Sequence, residues 1–210
     1  MDLASWWDQP IGGLREFDRR RLAGGALVVA GTLITIGITV AGSLYPGYSI
    51  HAQTISELGA TDASGQLVQP AATVFALSMG TGGGLVILAG LAARSALGPR
   101  LAGAFTATGV GVLGVAAFPV HVGAPHAIAA LVAFAGGGVT ALLAAVETRG
   151  TIRWLSAGLG ASTLLALVAF LALGGDTPLG IGGLERLVSL PIQCFTILFG
   201  GWLLGTTERQ

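Results

Sequence analysis

Apolar residues dominate six stretches of this chain, 22–44, 71–93, 101–118, 127–146, 154–173 and 187–205, and none of them contains Asp, Glu, Lys or Arg. A helix needs about 20 predominantly apolar residues to cross a hydrocarbon core of about 30 Å. The pattern therefore predicts an all-α fold, a bundle of six transmembrane helices, because in lipid the backbone must satisfy its own hydrogen bonds. The third stretch is the shortest and has room to extend at either end. The first is 23 residues long, beyond the roughly 7 to 15 residues of a signal-peptide core. Its leader also holds Asp8, Glu16 and Asp18, so we expect a retained span and not a cleaved signal.

Polar and turn-forming residues divide the remainder. Residues 1–21 read as a leader, 22–205 as the transmembrane domain and 206–210 as a tail. The leader sets Leu3, Trp6, Trp7, Ile11, Leu14 and Phe17 among its charges. Trp favours the headgroup level, which predicts an interfacial segment on the cytoplasmic leaflet, interrupted at Gly12 and Gly13. The odd-numbered spans end in Pro/Gly turns: Tyr45-Pro46-Gly47, Phe118-Pro119 with Gly123, and Gly174 to Pro178. Turn chemistry alone produces such punctuation, so it does not argue for duplication. Pro191 is expected in the first turns of the sixth helix, where a missing amide donor costs least.

The arginines orient the bundle. Arg15, Arg19, Arg20, Arg21, Arg94, Arg100, Arg149, Arg153 and Arg209 fall on one side of a six-span chain, and only Arg186 on the other. The positive-inside bias then puts both termini in the cytoplasm of a multi-pass protein of the cell membrane.

Composition agrees with this picture. Charged residues make up 10% of the chain and mean hydropathy is +0.81, against about 25% charged in soluble domains. Zero net charge gives no reason to expect a nucleic-acid partner. Cys194 is the single cysteine, so it forms no internal disulfide. Gly80/Gly84 and Gly201/Gly205 have GxxxG spacing, which serves either a homo-oligomer face or contact inside one bundle. Thr35, Thr39 and Ser43 share a face of the first span and are expected to bond their own backbone four residues back.

The candidate chemistry collects on the side opposite the arginines. His51, His121, His126, Glu57, Asp62, Asp176, Glu185 and Arg186 all lie there. No charged side chain lies within a predicted span, which argues against a proton-coupled pump and is compatible with a carrier of neutral solutes. Thr54 and Glu57 have capping-box spacing. Glu57 therefore either satisfies backbone amides at a helix start or stands as a carboxylate at the membrane surface, with Ile50, Ile55 and Leu58 dipping into the bundle. His121 and His126 approach zinc-ligand spacing, so a divalent metal is a weak candidate cofactor; satisfied histidines are commoner. A bis-His haem is less favoured, since these residues lie at helix ends. Arg186 can pair with Glu185, Asp176 or Glu57, or can hold a lipid phosphate or substrate anion. Gln193, two turns inward, extends any polar pocket below it.

Ile55-Ser56-Glu57-Leu58-Gly59, Phe118-Pro119 followed by His121 and His126, and Gly183-Leu184-Glu185-Arg186 before a last span ending near Trp202 resemble, in order and over nearly the whole chain, the family called domain of unknown function 998. The resemblance implies a multi-pass bundle whose recurring polar residues are Glu57, His126, Glu185 and Arg186. It implies no activity.

Taken together, the residues suggest a membrane-embedded enzyme at the outer leaflet, acting on a lipid or lipid-linked substrate. Glu57 or His126 is the expected general base. Arg186, oriented by Glu185, with Gln193 and His51 nearby, is expected to bind an anionic headgroup. A non-catalytic carrier of a small neutral solute, or an accessory subunit, is the alternative.

Overall fold

The computed structural model describes residues 11–62 and 64–207. Six α-helices carry the fold: α1 (Ile11–Leu44), α2 (Ala71–Ala92), α3 (Arg94–Ala117), α4 (Ala124–Glu147), α5 (Thr151–Leu173) and α6 (Gly180–Thr207). Each contains a stretch long and apolar enough to cross a membrane. Two short 3-10 turns, Ser56–Gly59 and Val120–Val122, sit in the connections.

Each helix packs against the next in sequence, and α1 closes on α6, so the six form a ring. Gly24 of α1 meets Gly200 of α6 at one end. At the other, the Gly182 amide donates to the His51 carbonyl just beyond α1. These are the terminal end and the loop end of the bundle. Glycine allows the closest approaches. A Cβ on Gly24 would stand 2.8 Å from the Gly200 carbonyl, and one on Gly200 would stand 2.7 Å from that of Gly24. Gly83 and Gly109 join α2 to α3 in the same way, at 2.9 and 2.8 Å. Without a hydrophobic force between helices in lipid, such backbone contact is a main source of packing energy. The GxxxG pairs do not supply it. Nothing lies within 4 Å of a Cβ on Gly84, Gly201 or Gly205, and only Ala116 does for Gly80, at 3.8 Å.

Three boundaries differ from expectation. α1 runs unbroken through Gly12 and Gly13. Each glycine costs about 1 kcal/mol in a helix, which weakens the helix there without ending it; residues 1–10 of the leader lie outside the described residues. α3 starts at Arg94 but breaks at Gly98, with φ +76°, before Pro99 begins its long segment. α6 starts at Gly180, so it takes in Glu185 and Arg186, and Pro191 falls in its interior instead of its first turns.

The interior divides into two apolar clusters. Leu27, Leu101, Phe105, Phe195 and Phe199 pack at the terminal end, and Ile34, Ile55, Leu58, Phe75 and Met79 at the loop end. Phe195 and Phe199 lie 5.3 Å apart between centroids, each against Phe105 at 6.0 and 5.6 Å. Trp202 extends the stack from Phe199 at 5.3 Å. The outward face is as apolar as the core: Leu77 is 66% exposed and Leu165 71%. That is the surface a hydrocarbon solvent requires.

Candidate functional site

The first loop, residues 45–70, does not float free. It folds over the mouth of the ring and inserts Ile55 and Leu58, both buried, into the loop-end cluster. Ile50 does not follow them and stays 61% exposed. The insertion is held locally by the box expected from spacing. The Glu57 carboxylate accepts the Thr54 amide at 2.6 Å and the Thr54 hydroxyl at 2.9 Å, and the Glu57 amide donates back to Thr54 Oγ1 at 3.3 Å. Gly59 closes the 3-10 turn. Glu57 is therefore occupied at a helix start, the first of its two readings.

α6 holds the loop from below. Glu185, 2% exposed, accepts the Ile55 amide and, at 2.9 Å, the Ser56 hydroxyl. Arg186 turns the other way. Its guanidinium donates to the Tyr48 hydroxyl at 2.7 Å, the Gly182 carbonyl at 2.8 Å and the Ile50 carbonyl at 3.4 Å. It also lies over the Tyr48 ring, 5.5 Å from the centroid, a cation–π geometry. Tyr48 in turn donates to the Thr54 carbonyl at 2.8 Å. Its phenol is pushed above its ordinary range, chiefly by burial, with the Arg186 hydrogen bond and charge pulling it back. Gly182 lets the backbones meet: a Cβ there would fall on the carbonyl oxygens of Gln53 and Ile50. Arg186 thus spends two donors on neutral oxygens of the loop and one on its own helix, and none on Glu185, Asp176 or Glu57. It works as a clamp on the loop.

His126, 5% exposed, sits in the first turn of α4 after Gly123, whose φ of +80° turns the chain, and Pro125. Its Nδ1 lies 2.7 Å from the Phe118 carbonyl, just beyond the end of α3. A carbonyl only accepts, so Nδ1 carries a proton, and in the neutral ring Nε2 keeps its lone pair. Nε2 has no protein partner among the described residues.

These side chains meet around a cavity of about 210 Å³ between α4, α5 and α6, beneath the loop. Thr54, Ser56, His126 and Glu185 line its polar part. Phe134, Leu167 and Phe170 line its apolar part, with Leu131 and Leu171 at the rim; the last two are 49% and 67% exposed. Ser56, Phe134 and Glu185 also border a second cavity of about 80 Å³ deeper in the ring. A third, of about 40 Å³, follows it, shares Gln193 with it and reaches Phe105 and Phe195. Down this line α6 presents Glu185, Ser189, Gln193 and Thr196, all buried. Steps of four, four and three put them on one helix face. Thr35 contacts Gln193 Oε1 at 2.7 Å and, as expected, also its own Gly31 carbonyl at 2.7 Å.

The expected residues therefore separate. Glu185 and His126 border the 210 Å³ cavity, and Glu185 and Gln193 the second one. Glu57 and Arg186 hold the loop. His51 is exposed, with its carbonyl on α6. The polar pocket reaching Gln193 descends from Glu185, not from Arg186. His121 is exposed on its 3-10 turn while His126 is buried, and among the described residues no three His, Cys, Asp or Glu side chains group as metal ligands. Ser56, Tyr48 and Ser189 were not singled out from sequence. Ser189 was detectable as the residue four beyond Glu185 and four before Gln193; the other two emerge only from the loop's fold.

Six apolar helices around an interior with few polar side chains define a multi-pass membrane protein. Its family follows from sequence comparison: residues 28–202 match the family model described as "Protein of unknown function (DUF998)", and the chain belongs to that family. No curated protein and no solved structure matches the chain.

Proposed function

We propose that this protein is a membrane-embedded enzyme acting on a lipid or lipid-linked amphiphile, in the cell membrane, at the loop end of the bundle. The arginine asymmetry supports reading that end as the outer face. The reading rests on one observation. A buried histidine, anchored through Nδ1 and with no partner at Nε2 among the described residues, lines a cavity together with the Ser56–Glu185 pair. Nε2 is the general base, taking a proton from a water or a substrate hydroxyl in the cavity. General base catalysis of this kind contributes about 10²- to 10⁴-fold in rate. Thr54 and Ser56, whose protons go to Glu57 and Glu185, offer hydroxyl oxygens as acceptors that orient the substrate. Glu185 is a positioning residue that holds Ser56 at the cavity wall.

The line of cavities, which ends on the Phe105, Phe195 and Phe199 stack, suits a site that holds a substrate at the loop end. The test is the lipid profile of membranes from cells with and without the protein, followed by single substitutions of His126, Glu57 and Arg186. A lipid change that disappears with His126→Gln and persists with Glu57→Gln supports the reading. An identical profile with and without the protein retires it.

A further inference from the structure

We infer that the occupant of the 210 Å³ cavity is a single-chain amphiphile with an uncharged, hydroxyl-bearing head, admitted sideways from the bilayer between α4 and α5. This rests on the cavity being the working site, and it names the substrate class. Three observations carry it.

The first is the rim. Leu131 of α4 and Leu171 of α5 line the cavity and are also exposed on the outside of the ring. The surface they share faces hydrocarbon, so an apolar chain can lie between them without leaving lipid. Above, the cavity is roofed by the loop that Glu185 and Arg186 pin to α6. Below, the line of cavities that share wall residues stops at the phenylalanine stack. The side is the open route.

The second is charge. The lining holds hydroxyls, an imidazole and a carboxyl, but no guanidinium, and the chain has no lysine. The nearby guanidinium, Arg186, is directed to Tyr48, the Ile50 carbonyl of the loop and the Gly182 carbonyl of its own helix. An anionic head would be buried without a partner, which is strongly unfavourable. The Ser56 and Thr54 protons are spent on Glu185 and Glu57 and the His126 proton on Phe118, so these groups offer acceptors, and a hydroxyl head can donate to them.

The third is size. Sites that engulf a whole drug-sized ligand occupy about 300–1,000 Å³. A cavity of about 210 Å³ takes a small head and the beginning of one chain, and the rest of the chain stays in the bilayer.

The test is photo-crosslinking in vesicles holding the full chain. Two single-chain probes carry a diazirine near the head, one a monoacylglycerol and the other a long-chain monophosphate. The expected result is that the monoacylglycerol labels the α4 and α5 segments around Leu131 and Leu171 several-fold more than the monophosphate does. Leu131→Trp, which fills the rim at a lipid-exposed position, lowers that labelling by roughly fivefold or more. Leu77→Trp, exposed on α2, leaves it unchanged. Equal labelling by the monophosphate, labelling spread evenly around the ring, or labelling indifferent to Leu131→Trp overturns the inference. The readout does not depend on turnover. Labelling at α4 and α5 without turnover upholds the inference and refutes the enzyme reading, while turnover with labelling elsewhere does the reverse.

Discussion

The Ser56 hydroxyl donates to the Glu185 carboxyl at 2.9 Å across 129 positions of sequence, and this contact joins the first loop to the last helix. With the Ile55 amide on the same carboxyl, it fixes the roof of the cavity. Glu185→Ala would leave a buried amide without an acceptor and a buried hydroxyl without a partner, at about 1–3 kcal/mol each. We expect a clear drop in thermal stability in detergent and faster proteolysis within residues 45–70. Ser56→Ala removes one hydrogen bond, about 1 kcal/mol. Glu185→Gln keeps an acceptor for the amide and should fall between wild type and Glu185→Ala. Equal stability for all three variants and wild type contradicts the lock.

Glu57 and His126 should behave oppositely. Glu57→Gln weakens a capping box at the cavity's edge, so it should cost at most about 1 kcal/mol of stability and leave lipid turnover within a few-fold of wild type. His126→Gln should preserve the fold and remove turnover. Thermal melts and turnover measured on the same preparations check both. A severe activity loss with Glu57→Gln alone would return the base to the loop.

Helix contact through glycine gives a packing test. Gly200→Ala puts a Cβ 2.7 Å from the Gly24 carbonyl. Backbone must move, so a loss of about 1–3 kcal/mol is expected. Gly201→Ala meets nothing within 4 Å and should stay within about 0.5 kcal/mol of wild type. Melting the two variants side by side tests the α1–α6 seam, and equal losses contradict it.

Tyr48 predicts an alkaline limit. Burial is the largest influence on its phenol and raises its pKa above the ordinary 10.0. The folded state then holds the proton more tightly than the unfolded chain does. The resulting stability is complete below about pH 10 and is lost as pH rises through the folded value. The melting temperature of the wild type should fall more steeply above pH 10 than that of Tyr48→Phe, which has no phenol to titrate. Parallel curves contradict the assignment.

Much of this architecture was legible in the chain. Six apolar runs gave six helices, because lipid leaves the backbone few other solutions. The Thr54-x-x-Glu57 spacing named its own capping box. The site was legible only in part, and the reasons are geometric. Charge at Glu185 and Arg186 ended the predicted sixth span, yet the helix begins at Gly180 because the folded loop satisfies both side chains. Once helical, the two neighbours sit about 100° apart around the axis. Glu185 turns into the ring and Arg186 toward Tyr48, so a single pocket built from both was never available. The Phe118 carbonyl that anchors His126 lies eight positions back across a turn, and no spacing rule points to it. Ser56 looked ordinary until the loop's fold brought it to Glu185.

The account stands most directly on one rate, the conversion of a hydroxyl-headed single-chain amphiphile by the purified protein in vesicles, compared between wild type and His126→Gln. We predict measurable conversion by the wild type and a fall of about 10²-fold or more in the variant, with both proteins melting alike. Undiminished conversion by the variant, or none by the folded wild type, would contradict it.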